Sequence, residues 1–336
     1  MIKKKTFIIA EAGVNHNGSL KTAKKLIYNA KIIGADAIKF QTFKAENLST
    51  KNSPKANYQK KLTHKNETQF KMLKKLELSK KMHYKCIEYC KKIKITFLSS
   101  AFDLESLDFL KKIKIPIFKV PSGELTNYLY LRRLGSFNKK IYLSTGMSNL
   151  KEIDQAIKTL IKFGTPKKKI SLLHCNTEYP TPFKDANLKS IITLKKKFNL
   201  EVGYSDHTES IEASLAAVAL GASIIEKHFT LDRKMYGPDH LTSLETNEFE
   251  QLIKKIRNIE TSLGNGIKRA SKSEKKNLKI VRKSIVASKK INKGEKFNYE
   301  NLTVKRPGTG INPMNISKIV GKVAKKKFMP DDIITK

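Results

Sequence analysis

The stretch EVGYSDHTESIEASLAAVALGASIIEKH, residues 201–228, contains the unit from which the fold is predicted. Residues 201–205 indicate a strand, residues 211–220 an amphipathic helix and residues 223–228 a second strand. Strand, helix and strand in this order predict two parallel strands joined by a crossover helix. Polar residues, among them Asp206 and His207, follow directly after the first of these strands.

The same alternation recurs along the first 265 residues. Further strands are predicted at residues 6–10, 37–41, 95–99, 117–121, 141–145 and 170–175. Amphipathic helices are predicted at residues 20–33, 105–113, 152–163 and 247–263. Eight strands alternating with helices predict an α/β fold, a closed TIM (β/α)8 barrel. An open doubly wound sheet is the alternative, although no G-x-G-x-x-G follows the first strand.

The chain changes character after the barrel. Residues 266–281 are polar and charged and predict a linker. Short β runs follow at residues 284–287, 303–305 and 322–324, separated by turn signals such as PGTG at residues 307–310. The predicted organisation is therefore a barrel domain at 1–265, a linker at 266–281 and a small domain at 282–336. A domain of this size is expected to need a partner surface for stability.

The net charge of +38 raises the alternative of a lysine-rich nucleic-acid-binding protein. Only seven of the 68 basic residues are arginine, and the chain has no tryptophan. Bases are recognised mostly by arginine forks and stacked aromatic rings, so a nucleic-acid partner is not expected. The excess of lysine is expected instead to attract anionic substrates.

Several features indicate a cytoplasmic protein. No stretch approaches the ~20 apolar residues of a membrane span, so no membrane partner is expected. The N-terminal residues lack the apolar core and cleavage site of a secretory signal. Cys86, Cys90 and Cys175 are too few for a disulfide framework and suit a reducing compartment.

Polar residues collect at the C-terminal ends of the predicted strands, where barrel enzymes build their active sites. Lys39 and Lys119 lie in strands whose barrel-facing positions are otherwise apolar, and a buried lysine is costly unless it is paired. Together with Ser100, Ser122 and Ser144 they predict an anion site for a phosphate or a carboxylate. A single lysine could instead form a Schiff base, but two indicate charge neutralisation.

His207 and His228 end adjacent predicted strands, so their side chains are expected to converge. Imidazole nitrogens suit a divalent cation, to which Glu11 or Asp206 could add oxygen contacts. The sequence therefore predicts a metal site at the barrel rim.

Nine short motifs extend this interpretation from residue 8 to residue 311: IIAEAGVNHNG, AIKFQTF, FKVPSGE, LSTGM, LLHCNTEYPTP, VGYSDHT, EKHFTLD, GPDH and VKRPGTGI. Together they resemble the sialic acid synthase family, phosphoenolpyruvate-condensing enzymes that make N-acetylneuraminate, legionaminate or pseudaminate. The stretches FKAENL and HCNTEYPTPF are most similar to the bacterial legionaminate branch.

The resemblance implies a TIM barrel followed by an antifreeze-like (SAF) domain, which covers the partner's barrel in a domain-swapped homodimer. It implies condensation of phosphoenolpyruvate with N-acetylmannosamine or 2,4-diacetamido-2,4,6-trideoxymannose, with release of phosphate. The implied phosphoenolpyruvate-binding residues are Lys39, Ser100, Lys119, Ser122, Ser144, Asn176, Thr177 and Ser205. The implied sugar-binding residues are Gln41, Asn66, Tyr179, Asp239 and Arg306. The implied catalytic residues are Glu11, Glu124 and Lys119, with His207 and His228 as ligands of Mn²⁺ or a similar divalent cation such as Mg²⁺.

Two stretches depart from the family pattern. The usual STPF is SSAF at residues 99–102, which replaces a threonine by Ser100 but keeps the hydroxyl. The usual HCTNIYP is HCNTEYP, which leaves the phosphate contact open between Asn176 and Thr177. Two other functions are weighed against the synthase: a Schiff-base barrel aldolase that uses Lys119, and the nucleic-acid-binding protein considered above.

Overall fold

The structure of the chain, a computed structural model, describes residues 5–55, 59, 63 and 67–335. The chain divides into two compact units, Met1–Gly264 and Asn265–Lys336. Among the described residues, none of the helices combines the length and the apolar character that a membrane crossing requires.

Eight parallel strands of the first unit close into a barrel in chain order, which confirms the predicted TIM-barrel fold. The strands are β1 Phe7–Gly13, β2 Ala37–Thr42, β3 Thr96–Ala101, β4 Ile117–Val120, β5 Lys140–Ser144, β6 Ile170–Cys175, β7 Glu201–Asp206 and β8 Ile224–His228. β1 pairs with β2 and also with β8, and the pairing of β1 with β8 closes the barrel. β3 runs to Ala101, two residues beyond the predicted end, so Ser100 lies within a strand.

Helices surround the barrel and connect its strands. Those that the structure describes in the first unit are α1 Leu20–Ile32, α2 Ala45–Leu48, α3 Gln69–Leu76, α4 Lys80–Ile93, α5 Leu104–Lys112, α6 Tyr128–Gly135, α7 Leu150–Lys162, α8 Ser190–Phe198, α9 Glu212–Ala219 and α10 Thr246–Ser262. Local signals set their ends. A capping box between Asn149 and Glu152 starts α7 at Leu150, two residues before the predicted start. Asn199, in a left-handed conformation, ends α8.

The inside of the barrel is filled by side chains that alternate along the strands. Its lower part is an apolar layer formed by Ile9, Ala37, Leu98, Tyr142, Leu173 and Ile224. A separate and larger core lies between the strands and the helices. Because side chains alternate across a strand, the residue two positions further along each strand faces the same interior. This places a second layer directly above the apolar one, at the C-terminal ends of the strands.

The second unit contains α11 Lys275–Val281, β9 Ser284–Ala287 and β10 Leu302–Lys305. β9 and β10 form a small antiparallel sheet over a core of its own that includes Ile285, Leu302 and Phe328. The predicted run at residues 322–324 contributes a single bridge, between Lys296 and Val323. Part of the predicted linker is the helix α11.

Candidate active site

The second interior layer is polar, in contrast to the apolar layer below it. Each residue of the apolar layer is followed, two positions further along its strand, by a residue of the second layer. These residues are Glu11, Lys39, Ser100, Ser144, Cys175 and Glu226. Lys119 follows Ile117 with the same spacing, and Ser205 follows Gly203. These side chains line a cavity of about 370 Å³ at the C-terminal ends of the strands.

Two lysines and two glutamates form the centre of this layer. Lys39 Nζ lies 3.1 Å from Glu11 Oε1 and 3.4 Å from Glu226 Oε2. Lys119 Nζ lies 3.2 Å from Glu226 Oε1. All four side chains are buried, so their charges interact strongly and depend on one another. Glu226 joins the two lysines that the sequence predicted as an anion site.

The charges in this group do not cancel at neutral pH. Burial raises the pKa of Glu11 to about 7, an effect that nearby Lys39 opposes. Burial also acts to raise the pKa of Glu226, but Lys119 and Lys39 outweigh it and lower that pKa to about 2. Lys39 is itself buried, yet Glu11 and Glu226 raise its pKa. Burial lowers the pKa of Lys119, although Glu226 opposes the shift. With Glu226 ionised and Glu11 partly protonated, the layer has a positive excess that suits an anion.

Serine hydroxyls surround the charged centre. Lys39 Nζ donates to Ser100 Oγ at 3.0 Å, and Ser205 Oγ donates to Glu226 Oε1 at 2.9 Å. Ser122 Oγ accepts from the backbone N–H of Gly146 at 3.1 Å. Ser144 Oγ is buried without a hydrogen-bond partner in the described part of the chain. A buried hydroxyl without a partner is unfavourable, so Ser144 is available to a ligand.

A glycine allows the strand ends to approach one another here. A Cβ on Gly146 would lie 2.7 Å from Ser122 Oγ and 2.8 Å from Thr177 Cγ2. Any side chain at this position would push two of the cavity-lining groups apart, because contacts this short do not occur. The glycine of the LSTGM motif therefore keeps Ser122 and Thr177 at the edge of the cavity.

His207 and His228 converge as predicted, with ring centroids 5.5 Å apart. The Nδ1 atom of His207 contacts the carbonyl oxygen of Asn176 at 2.5 Å. A carbonyl can only accept, so Nδ1 carries the proton and Nε2 keeps its lone pair. Nε2 faces the Tyr179 hydroxyl at 3.1 Å and Ser205 Oγ at 3.4 Å. Burial lowers the pKa of His207 to about 4 and that of His228 well below its usual value, so both rings are neutral at pH 7.

The groups around His228 bear on whether a cation can bind beside it. Its Nδ1 is buried and has no hydrogen-bond partner among the described residues. Asp239 Oδ2 lies 3.9 Å from that nitrogen, and burial raises the pKa of Asp239 to about 6. Within the described ranges, no group of three or more His, Cys, Asp or Glu side chains is arranged to hold a metal ion. Two neutral imidazoles, one with an unpartnered nitrogen, fit a cation that takes its other ligands from substrate or water.

Most of the predicted site residues line the one cavity. They are Glu11, Lys39, Gln41, Ser100, Lys119, Ser122, Ser144, Thr177, Tyr179, Ser205, His207, His228 and Asp239. Three others are placed elsewhere. The Glu124 carboxylate accepts from Asn127 Nδ2 at 2.7 Å and is not part of the lining. The Asn176 side chain contacts its own loop, so of the pair left open only Thr177 lines the cavity. Arg306 is an exposed residue of the second unit, and Asn66 lies outside the described residues.

Asp206 does not supply the oxygen contact considered for it. It lies between Ser205 and His207 and therefore points to the opposite side of β7. There it forms a fully buried ion pair with Lys227 at 3.0 Å. Its Oδ1 also accepts from the backbone N–H of Thr208 at 2.8 Å, which fixes the loop that carries His207.

Glu226 is the central residue that sequence reasoning did not assign to the site. Two signals could have found it. It precedes His228 by two residues on the same strand, so both side chains face the interior. Two lysines predicted to be buried also require a counter-charge, and Glu226 supplies it.

Fold and site together define a TIM-barrel protein with a candidate active site at the C-terminal ends of its strands. The chain belongs to the NeuB family, whose family model matches residues 26–268, and a SAF domain follows at residues 282–336. These matches confirm the resemblance inferred from the motifs.

Individual relatives are similar over nearly the whole chain. An N,N'-diacetyllegionaminic acid synthase from Campylobacter jejuni is 55% identical, over 98% of this chain and 99% of that protein. One from Legionella pneumophila is 47% identical, over 94% of this chain and 89% of that protein. Among solved structures, the N-acetylneuraminic acid (sialic acid) synthetase from Leptospira borgpetersenii, in complex with citrate, has a TM-score of 0.71 and 35% identity. That match covers 82% of this chain and 90% of the other.

Proposed function

We propose that this protein condenses phosphoenolpyruvate with an N-acetylated amino sugar and water, releasing phosphate and forming a nine-carbon sugar acid. The observation that carries the proposal is the buried Lys39–Glu226–Lys119 group with its surrounding serines, which suits a small, highly charged anion. The names of the two legionaminic acid synthases described above support it.

The proposed reaction begins with phosphoenolpyruvate bound through its phosphate and carboxylate by Lys39, Lys119 and the serines. Its C3 attacks the aldehyde carbon of the open-chain sugar, so a carbon–carbon bond forms while the aldehyde oxygen gains a proton. Water adds at C2, and the C2–O bond to phosphate then breaks, leaving a ketone and inorganic phosphate. Holding both substrates in one cavity supplies much of the rate advantage. Glu11 lines that cavity and, with a pKa of about 7, is suited to exchanging a proton there.

A divalent cation such as Mn²⁺ or Mg²⁺, held by His207 and His228, would supply Lewis-acid stabilisation of the aldehyde oxygen. The lowered pKa values of both imidazoles support this assignment, because a metal ligand must be deprotonated. Tyr179, Gln41 and Asp239 line the same cavity and are proposed to bind the sugar.

The proposal includes a homodimer in which Arg306 of one chain contacts the sugar bound by the other. It rests on the family resemblance and on the exposed position of Arg306, whose Nε donates to the Val281 carbonyl at 3.1 Å. A cytoplasmic location is also proposed, which the buried free thiols of Cys86, Cys90 and Cys175 support.

The proposed function is tested by following phosphate release from the purified protein. Phosphate should appear only when phosphoenolpyruvate and an N-acetylated amino sugar are both present with Mn²⁺. Phosphate release that does not depend on the sugar would contradict the proposal. Borohydride trapping of pyruvate on Lys119 would favour the Schiff-base aldolase instead.

Binding of phosphoenolpyruvate is expected to take up protons near neutral pH. Glu11 has a pKa of about 7 in the protein without substrate, and an anion beside it disfavours its ionised form. The pKa therefore rises on binding, and up to about half a proton per site should be taken up by Glu11 at a pH near 7. Calorimetry in buffers of different ionisation enthalpy measures this number. Glu11→Gln should lower it, and an unchanged value would show that Glu11 does not titrate in the site.

Mixing two impaired variants, at substrate concentrations too low for either variant alone to turn over, tests the proposed role of Arg306. Arg306→Ala keeps an intact barrel and Lys119→Met keeps an intact arginine, so a heterodimer would contain one site with both groups. Some activity should return after subunit exchange. The matched control is a mixture in which the Arg306→Ala chain also carries Lys119→Met, which leaves no intact site. If exchange is demonstrated by mass and no activity returns, Arg306 does not act across a dimer.

A further inference from the structure

The loop after β8, residues 229–245, brings a carboxylate to the active-site cavity. Asp239 of this loop is buried and lines the cavity. A Cβ at the position of Gly13 would lie 3.4 Å from Asp239 Oδ2 and 3.4 Å from Gln41 Nε2. The same Cβ would lie 3.5 Å from Glu11 Oε1. A loop residue therefore stands beside two side chains that the strands β1 and β2 hold in place.

The turn after β1, residues 14–18, holds this loop through Asn17. Asn17 Nδ2 donates to the carbonyl oxygen of Tyr236 at 2.8 Å, and Asn17 Oδ1 accepts from His240 Nε2 at 3.3 Å. The two contacts bracket Asp239, since Tyr236 precedes it in the chain and His240 follows it directly. One side-chain amide therefore fixes both ends of the segment that carries the carboxylate.

The hydrogen bonds around Asn17 and His240 have one consistent set of directions. The carbonyl of Tyr236 can only accept, so Asn17 turns its amide nitrogen to Tyr236 and its oxygen to His240. Burial lowers the pKa of His240 to about 4, so the ring is neutral at pH 7 and carries one proton. That proton is on Nε2, which leaves Nδ1 to accept from the Thr230 hydroxyl at 2.7 Å. Each donor thus meets an acceptor, and the network fixes the orientation of the amide.

The backbone at this contact is suited to a close approach. Asn17 lies in the left-handed region with a φ of 49°, which asparagine adopts more readily than most residues. A Cβ on Gly237 would lie 2.9 Å from Asn17 Oδ1 and 2.7 Å from His240 Cδ2. The turn and the loop can therefore meet only because a glycine faces the Asn17 amide.

Asn15 ties the same loop to the same turn at a second point. Its Nδ2 donates to Ser243 Oγ at 3.0 Å and to the carbonyl oxygen of Phe229 at 2.9 Å. Ser243 Oγ in turn donates to the carbonyl oxygen of Asp239 at 2.6 Å. The backbone of Asp239 is therefore connected to the β1 turn as well as the residues on either side of it.

We propose that Asn17 is a positioning residue for the reaction, which holds residues 236–240 so that the Asp239 carboxylate stays in the cavity. Asn17 lines a smaller neighbouring cavity of about 230 Å³ and is not part of the active-site lining, so it acts on the substrate through Asp239. The inference rests on the proposed function, in which Asp239 binds the sugar. Loss of the Asn17 amide should therefore weaken the use of the sugar and spare phosphoenolpyruvate.

Asn17→Gly removes the amide and leaves the left-handed backbone unstrained. It should raise the KM for the sugar about three- to tenfold, the range expected for the loss of two hydrogen bonds of a partly exposed side chain. The KM for phosphoenolpyruvate should change by less than about twofold. Steady-state kinetics with N-acetylmannosamine or 2,4-diacetamido-2,4,6-trideoxymannose, whichever the wild-type protein uses faster, measures both values. Asn17→Asp, which cannot donate to the Tyr236 carbonyl, should also raise the KM for the sugar and replaces Asn17→Gly if that variant fails to fold.

A double-mutant cycle tests whether Asn17 acts through Asp239. In an Asp239→Ala protein, Asn17→Gly should reduce kcat/KM for the sugar by less than about 1.5-fold, because the group that it positions is already absent. Product formed at low sugar concentration over long incubations measures kcat/KM even when the rate is low. Asn138→Gly is the matched control. Asn138 has a φ of 53°, its Oδ1 accepts from Lys169 Nζ at 2.8 Å, and it precedes β5 at the other end of the barrel.

Asn138→Gly should leave the KM values for both substrates unchanged. Three results would each overturn the inference while condensation stands: an unchanged KM for the sugar in the folded Asn17 variants, equal effects on the two substrates, or the full effect of Asn17→Gly in the Asp239→Ala protein. If the wild-type protein forms no product with either sugar, the proposed function itself fails.

Discussion

Lys119→Met is expected to raise the phosphoenolpyruvate concentration needed for half-maximal rate about 10- to 100-fold, since a hydrogen bond to a charged group contributes about 1.5–3 kcal/mol. The requirement for the sugar should change by less than about threefold, because Lys119 is proposed to contact only the first substrate. Steady-state kinetics with each substrate varied in turn measures both effects. Equal effects on the two substrates would contradict an anion-binding role for Lys119.

A second variant separates binding from folding. Removing Lys119 leaves Glu226 buried, with Lys39 and Ser205 as its remaining partners among the described residues. Breaking a buried ion pair typically lowers the free energy of unfolding by about 3–5 kcal/mol, and the lower end is expected here. Lys119→Met combined with Glu226→Gln should recover part of that stability but not the affinity for phosphoenolpyruvate. Denaturant unfolding and substrate titration distinguish the two outcomes.

His207→Ala and His228→Ala should each reduce the rate about 100- to 1,000-fold, because Lewis-acid stabilisation contributes several kcal/mol. Exhaustive chelation with EDTA should have a similar effect, and added Mn²⁺ should restore the wild-type protein but neither variant. Electron paramagnetic resonance of free Mn²⁺ gives a readout independent of turnover, in which both variants should bind the ion more weakly.

The matched control is His174→Gln. His174 lies on the outer side of β6, stacks on Tyr204 and contacts the carbonyl oxygen of Ala186 through Nε2. Its loss should leave Mn²⁺ binding and activity close to those of the wild-type protein. Full activity of the wild-type protein after chelation would remove the metal role assigned to His207 and His228.

The barrel and the polar layer were predictable from the sequence for one physical reason. Strand periodicity of two and the parallel order of the strands place residues such as Lys39, Lys119 and His228 at one end of one interior. Applied strictly, the same rule would have assigned Glu226 to the site and excluded Asp206 from it. Both corrections follow because alternate residues of a strand face opposite sides of the barrel wall. A position near the end of a strand does not by itself show which side a residue faces.

Other features of the site could not be predicted from strand periodicity. Glu124 lies in a short 3-10 turn after β4, where strand parity no longer fixes the direction of a side chain. Four apolar residues that line the active-site cavity, Leu48, Met72, Leu73 and Leu76, come from α2 and α3, between β2 and β3. Met72 and Leu76 have the spacing of any core-facing helix, so the sequence cannot distinguish a residue that lines a cavity from one that fills the core.

The fate of the carbon atoms of phosphoenolpyruvate tests the proposed condensation most directly. The purified protein is incubated with Mn²⁺, uniformly ¹³C-labelled phosphoenolpyruvate and 2,4-diacetamido-2,4,6-trideoxymannose or N-acetylmannosamine, and the products are identified by mass spectrometry. The proposed reaction should yield a nine-carbon sugar acid that carries all the labelled carbons, formed in equal amount with inorganic phosphate. Labelled pyruvate beside unchanged sugar, or the same sugar acid formed from pyruvate without phosphoenolpyruvate, would contradict it.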